Sequence, residues 1–232
     1  MEDEGIAILS ESISKSESII SVDISSNEIR AKGARHLITG LYHNNSVVEL
    51  KLSSIGVEAK KNRLRAEGVR PLKQLLETNL VLSFLDVSGN CIGKDGLDHI
   101  IQGLKDNTSL ISLKVSKNDI PGDGLHELFK WLRYTRIREL DISKNPIGNT
   151  GALQGTDYLP YWSSLEILDI SDIRISCKYL DKSTTLNNFN VAIGMEGLLK
   201  HLDGKGVNLV SLILDRNDFR IGKIPGFISF IK

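Results

Sequence analysis

Apolar and polar positions follow one frame along most of the chain: apolar-x-x-apolar-x-apolar-x-x-Asn-x-apolar. It reads LSFLDVSGNCI from Leu82, LISLKVSKNDI from Leu110 and IRELDISKNPI from Ile137. IISVDISSNEI from Ile19 and LVSLILDRNDF from Leu209 repeat it, and VVELKLSSI from Val47 and LEILDISDI from Leu165 are weaker copies. Within a copy, apolar and polar residues alternate, the period of a strand with one buried face. A glycine follows, and then in most copies apolar residues at i, i+3, i+4 and i+7, as in Leu97, Ile100, Ile101 and Leu104. Leu125, Leu128, Phe129 and Leu132 repeat the spacing, which is helical. Each unit is therefore expected to be a short strand, a turn and a helix. The strands should start near residues 20, 48, 83, 111, 138, 166 and 210 and form one parallel sheet.

The copies start at 19, 47, 82, 110, 137, 165 and 209, so the steps are 28, 35, 28, 27, 28 and 44. The two long steps mark insertions near 56–63 and 173–190. In the first, the Asn-x-apolar element reappears late, at Asn62 and Leu64. One such unit cannot bury its apolar side, whereas stacked units share a continuous core. The Asn amide is expected to satisfy backbone groups of the adjoining loop. Ile6, Leu9 and Ile13 place the chain start partway through a unit, and FRIGKIPGFISFIK at the other end has no polar cover. The expectation is a single domain over 1–232 of about seven repeats, forming a segment of a longer array.

The frame resembles the leucine-rich repeat family, and the 27–28-residue spacing is similar to its ribonuclease-inhibitor subtype. That resemblance implies an α/β horseshoe solenoid, with a parallel sheet on the concave face and helices on the convex face. The insertion-bearing units look most like the CARMIL actin-regulatory scaffolds, which implies a role in regulating the actin cytoskeleton. The capping-protein-binding segment of that family lies outside its repeats and nothing here matches it, so no functional residue is carried over.

Three residues of each strand should point out from the concave face. The first column is Ser21, Glu49, Phe84, Ser112, Glu139, Ile167 and Ser211. The second is Asp23, Lys51, Asp86, Lys114, Asp141, Asp169 and Ile213, and the third is Ser25, Ser53, Ser88, Ser116, Ser143, Ser171 and Asp215. These columns hold seven acidic residues and two basic ones, although Lys+Arg and Asp+Glu are both 29 over the chain. The serine column reads as small and flat, open to close approach. One reading is a solvated face whose Asp and Ser serve the turn. The other is a partner-binding face made by Asp23, Glu49, Asp86, Lys114, Glu139, Asp141, Asp169 and Asp215, with Phe84, Ile167 and Ile213 as apolar anchors. Charge would orient a basic protein partner and the anchors would hold it.

The balanced charge argues against a nucleic-acid binder. No apolar run approaches the roughly 18–20 residues of a bilayer span, and the acidic N-terminus does not resemble a signal peptide. These features point to a cytoplasmic protein without membrane insertion. No catalytic motif appears, His36 and His99 lie two units apart, and neither Cys91 nor Cys177 has a suggested base. No enzyme, cofactor or metal is expected, and oligomeric state is left open. Phe129, Trp131, Tyr134, Tyr158, Tyr161 and Trp162 lie within 34 residues, and the unit after Ile137 is irregular, with Gly155 and Pro160 interrupting the helical pattern. They either replace a helix as filling or form a convex docking patch. An alternative role is regulation of a small GTPase, as in the repeat-containing activator of Ran. It would need an arginine or asparagine offered from a loop at the array's edge, with Arg63, Arg65 or Arg174 as candidates.

Overall fold

The computed structural model describes residues 3–54, 61–175 and 208–217. Its strands are β1 Ser21–Asp23, β2 Glu49–Lys51, β3 Phe84–Asp86, β4 Ser112–Lys114, β5 Glu139–Asp141, β6 Ile167–Asp169 and β7 Ser211–Ile213. All seven form one sheet in sequence order, and every neighbouring pair is parallel. Each strand starts within two residues of its expected position. The helices are α1 Asp3–Ser14, α2 Ala31–Gly40, α3 Arg65–Val69, α4 Leu72–Thr78, α5 Gly93–Leu104, α6 Gly122–Leu132 and α7 Gly148–Thr156.

The apolar frame explains the packing. The middle residue of each strand points inward, and Leu50, Leu85, Leu113, Leu140 and Leu168 are fully buried in one row across the sheet. They meet the apolar stripes of the helices, including Leu97, Ile100 and Leu104 of α5 and Leu125, Leu128 and Leu132 of α6. The irregular unit departs from expectation, because Gly155 lies within α7 and does not end it. The glycines there let α6 and α7 approach closely: a Cβ on Gly122 would lie 2.7 Å from the Gly151 Cα. The pattern stops at a 3₁₀ turn, Leu159–Tyr161, which contains Pro160.

The frame asparagines tie unit to unit. The backbone N–H of Asn90 donates to Asn118 Oδ1 at 2.8 Å, and that of Asn118 donates to Asn145 Oδ1 at 2.8 Å. Asn118 Nδ2 donates to the Val87 carbonyl and Asn145 Nδ2 to the Val115 carbonyl. The delayed Asn62 takes the equivalent place: its Oδ1 accepts from the N–H groups of Asn27 and Ile29. The residue before the asparagine takes left-handed backbone in other copies, with φ of +56° at Ser26 before Asn27, +52° at Lys117 before Asn118 and +74° at Gly89 before Asn90. Glycine holds that conformation at least cost, and polar residues serve at the other copies. Asn44, Asn79 and Asn107 form a second set at the helix-to-strand loops. Each accepts from the N–H three residues on and donates to carbonyls of the preceding unit. All three are buried connectors.

The inserted residues 55–60 and 176–207 and the C-terminal FRIGKIPGFISFIK from Phe219 lie outside the described residues.

Candidate protein-binding face

The sheet register converts the sequence columns into rows. One runs Ser21, Glu49, Phe84, Ser112, Glu139, Ile167 and Ser211, and the other Asp23, Lys51, Asp86, Lys114, Asp141, Asp169 and Ile213. Neighbours in a row are about 4.8 Å apart, so each charge feels the next. Lys51 therefore sits between Asp23 and Asp86, and Lys114 between Asp86 and Asp141.

Over β2 to β5 the charges are largely used internally. Lys51 Nζ lies 3.1 Å from Glu49, and Lys114 Nζ lies 2.9 Å from Glu139. Ser21 and Ser112 hydroxyls donate to the same two carboxylates. Hydrogen bonds from Lys51 and Ser21, and the Lys51 charge, hold the Glu49 carboxyl below the usual range. Burial opposes ionisation of Glu139, but the Lys114 and Ser112 hydrogen bonds and the Lys114 charge outweigh it and lower its pKa. Phe84, expected as a free anchor, is half-buried beneath both ammonium groups, which lie 5.3 and 5.4 Å from its ring centre.

The C-terminal end differs. Asp141 has Lys114 on one side and Asp169 on the other, and Asp169 has Ile213 as its next neighbour. Burial raises the Asp141 pKa, the adjacent Asp169 charge adds to the rise, and hydrogen bonding to Ser143 only partly offsets it. Ile167 and Ile213 are 36% and 40% exposed. Asp215 is exposed and lies 3.5 Å from Arg216.

One sequence expectation needs correction. The serine column is not open: Ser53, Ser88, Ser116, Ser143 and Ser171 are all buried. The chain folds back at the end of each strand, and the carbonyls of these residues accept from the preceding unit, as that of Ser143 does from the Lys117 N–H. The aspartates also have a local task. One oxygen of Asp23, Asp86, Asp141 and Asp169 accepts the N–H two residues on, at 2.9–3.0 Å, closing the turn after the strand.

Arg63 and Arg65 border a cavity of about 580 Å³ at the array edge with Arg30 and Lys61, while Arg174 is exposed elsewhere. Cys91 is exposed, and Cys177 lies outside the described residues. Among the described residues, no group of three His, Cys, Asp or Glu could hold a metal, and no helix is long and apolar enough to cross a membrane.

The leucine-rich repeat family model matches residues 78–100, 106–129 and 135–153, the regular units at the centre of the sheet. With the single parallel sheet and the asparagine ladder, this makes the chain a leucine-rich repeat protein. No curated protein matches it in sequence. Among solved structures, the actin-binding site 2 of leiomodin-1 matches with a TM-score of 0.46 at 13% identity, over 86% of this chain and 89% of that one. The C-terminal domain of Caenorhabditis elegans tropomodulin matches with a TM-score of 0.43 at 14% identity, over 87% and 93% of the two chains. Neither likeness bears on what this chain binds.

Proposed function

We propose that the chain is a non-catalytic scaffold that binds a basic protein partner on the outer face of its sheet, centred on β5 to β7. The observation that carries this reading is the juxtaposition of Asp141 and Asp169 beside the exposed Ile167 and Ile213. A cation from a partner relieves the repulsion between the two carboxylates, and the isoleucines supply apolar area to be covered. Such charges govern association rate and orientation, whereas buried anchors govern dissociation. Asp23, Glu49, Asp86, Lys114, Glu139 and Asp215 form the surrounding rim in this reading, with Phe84 contributing through its lysine-covered ring.

The resemblance of the repeats to actin-regulatory arrays makes an actin-cytoskeletal partner the first to test, by cosedimentation with filamentous actin and then by pull-down. The charge reversal Asp86→Lys, Asp141→Lys and Asp169→Lys should slow association with a recovered partner by at least about tenfold at low salt. The effect should shrink as exposed charges are screened over about 8–10 Å. Unchanged association at low salt would remove the sheet face as the docking surface.

A second reading, regulation of a small GTPase, is favoured by the exposed Arg30, Arg63 and Arg65 around one edge cavity. Stimulated GTP hydrolysis in a panel of small GTPases, lost in Arg63→Ala or Arg65→Ala, is its test.

A further inference from the structure

The aromatic residues of α6 and the irregular unit include two groups. Phe129 and Trp162 are buried beside Leu159, with their rings edge to face at 5.6 Å. Trp162 Nε1 donates to the Ile137 carbonyl at 3.1 Å. This group fills the space left where α7 stops. Tyr134 and Tyr161 do the opposite, at 68% and 67% exposed.

Arg133, which follows α6, lies among the tyrosines. Its guanidinium carbon is 4.5 Å from the ring centre of Tyr134, 5.1 Å from Tyr158 and 5.8 Å from Tyr161. Nη2 donates to the Tyr134 hydroxyl at 2.5 Å, and Nε is buried without a hydrogen-bond partner. Nearby, the Lys105 ammonium sits 4.1 Å from the Trp131 ring centre. Among the described residues, neither Lys105 nor Arg133 forms an ion pair with a carboxylate.

Cations at helix ends are favoured by the backbone dipole, and both residues follow a helix. That accounts for the charge. It does not account for three rings around one guanidinium, two of them turned to solvent. The three rings crowd the guanidinium and hold it in place, and with Nε buried and Nη2 bonded to Tyr134, its outer edge is the part that can meet a partner. A carboxylate fits that edge, and a preorganised arginine loses little entropy in meeting one. Tyr, Trp and Arg are also the residue types that concentrate binding energy in interfaces.

We propose that Arg133, Tyr134 and Tyr161 form a docking surface for an acidic, extended segment of a protein partner. A carboxylate of the segment pairs with Arg133, and its apolar groups lie on the two exposed tyrosines. The surroundings favour a peptide over a phosphate backbone. Lys130 is held by Glu127 at 3.3 Å, and exposed Asp157 adjoins Tyr158, so carboxylates interrupt the positive charge that a polyanion would follow here. This surface is separate from the sheet face and does not depend on it.

The probe is a fluorescently labelled eight-residue peptide alternating glutamate and proline, with its glutamine counterpart as control. Fluorescence anisotropy should show the parent binding the glutamate peptide and not the control. Arg133→Ala and Tyr161→Ser should each weaken binding by at least about tenfold, and Arg133→Lys should not restore it. Tyr161 is exposed, so Tyr161→Ser keeps the test valid if Arg133→Ala fails to fold. Asp141→Lys should leave this binding unchanged, separating the result from the sheet-face reading. No binding by the parent, equal binding of the control, or full affinity in both variants would overturn the proposal. Tighter binding to oligouridylate or to phosphatidylserine vesicles would overturn it in favour of a phosphate-bearing partner.

Discussion

On the sheet face from β2 to the first residue of β5, Glu49 meets Lys51, Glu139 meets Lys114, and both lysines cover Phe84. From Asp141 onward the same ladder presents two adjacent aspartates and two exposed isoleucines. The strands are equivalent in both regions and the inward leucines are continuous, so the difference on this face lies in the outward side chains. A repeat lets surface chemistry vary from unit to unit while the core stays the same. Net column charge alone hides this, because the two basic residues fall together in one region.

The largest effects should ignore the division. Leu85→Ala beneath the paired region and Leu168→Ala beneath the unpaired one should each cost about 2–5 kcal/mol in a denaturant titration. A markedly smaller loss at Leu168 would mean that the core is not shared equally.

The ladder comes next. Asn118→Ala removes the acceptor for the Asn90 N–H and the donor to the Val87 carbonyl, both buried. It should cost about 1–3 kcal/mol. Ser88→Ala should change stability by about 0.5 kcal/mol or less, because the buried Ser88 hydroxyl has no hydrogen-bond partner. Equal losses would show that the serine carries a bond the ladder does not.

The smallest effects sharpen the boundary, since Glu139 and Asp141 share one strand and should respond with opposite signs. The Glu139 pKa is lowered on folding, so its contribution is present above the unfolded value and is lost as pH falls through the folded one. Glu139→Gln should therefore lower the thermal midpoint at pH 7, with the deficit vanishing below about pH 4. The Asp141 pKa is raised, so its ionised form opposes folding, and that penalty disappears as pH falls through the folded value. Asp141→Asn should raise the midpoint at pH 7, with the gain gone by about pH 3.9. Shifts of the same sign would mean that the two residues are not electrostatically distinct.

The strands, the sheet order and the asparagine ladder were legible because they follow from periodicity alone. Asn62 could be placed across an insertion because its Asn-x-apolar spacing survives. The outward rows were legible too, but not their pairing, which depends on side chains of neighbouring strands reaching each other, as Lys114 reaches Glu139. The serine column misled because alternation holds only while the backbone stays extended, and the chain turns at that position. Asn44, Asn79 and Asn107 left a signal, an asparagine three residues before a repeat start, but that position lies outside the alternating frame. The aromatic unit held both readings at once: Trp162 fills, and Tyr161 faces solvent.

One joint of the ladder lacks its clasp. Ile173 stands in the asparagine slot of the sixth unit, and the turn keeps its left-handed shape, with φ of +52° at Asp172 and +63° at Arg174. An isoleucine offers no amide, so that unit has no side-chain bond to return to Asn145. Backbone bonds from Lys144 to Ser171 and from Gly148 to Ile173 remain. Pictured as a row of springs, the solenoid is stiff where amides bridge the units and more compliant at this link. Tension along the row would concentrate strain here, directly beside Asp141 and Asp169. A partner gripping both aspartates would span that joint and stiffen it, so occupancy would register as a change in the elasticity of the whole array.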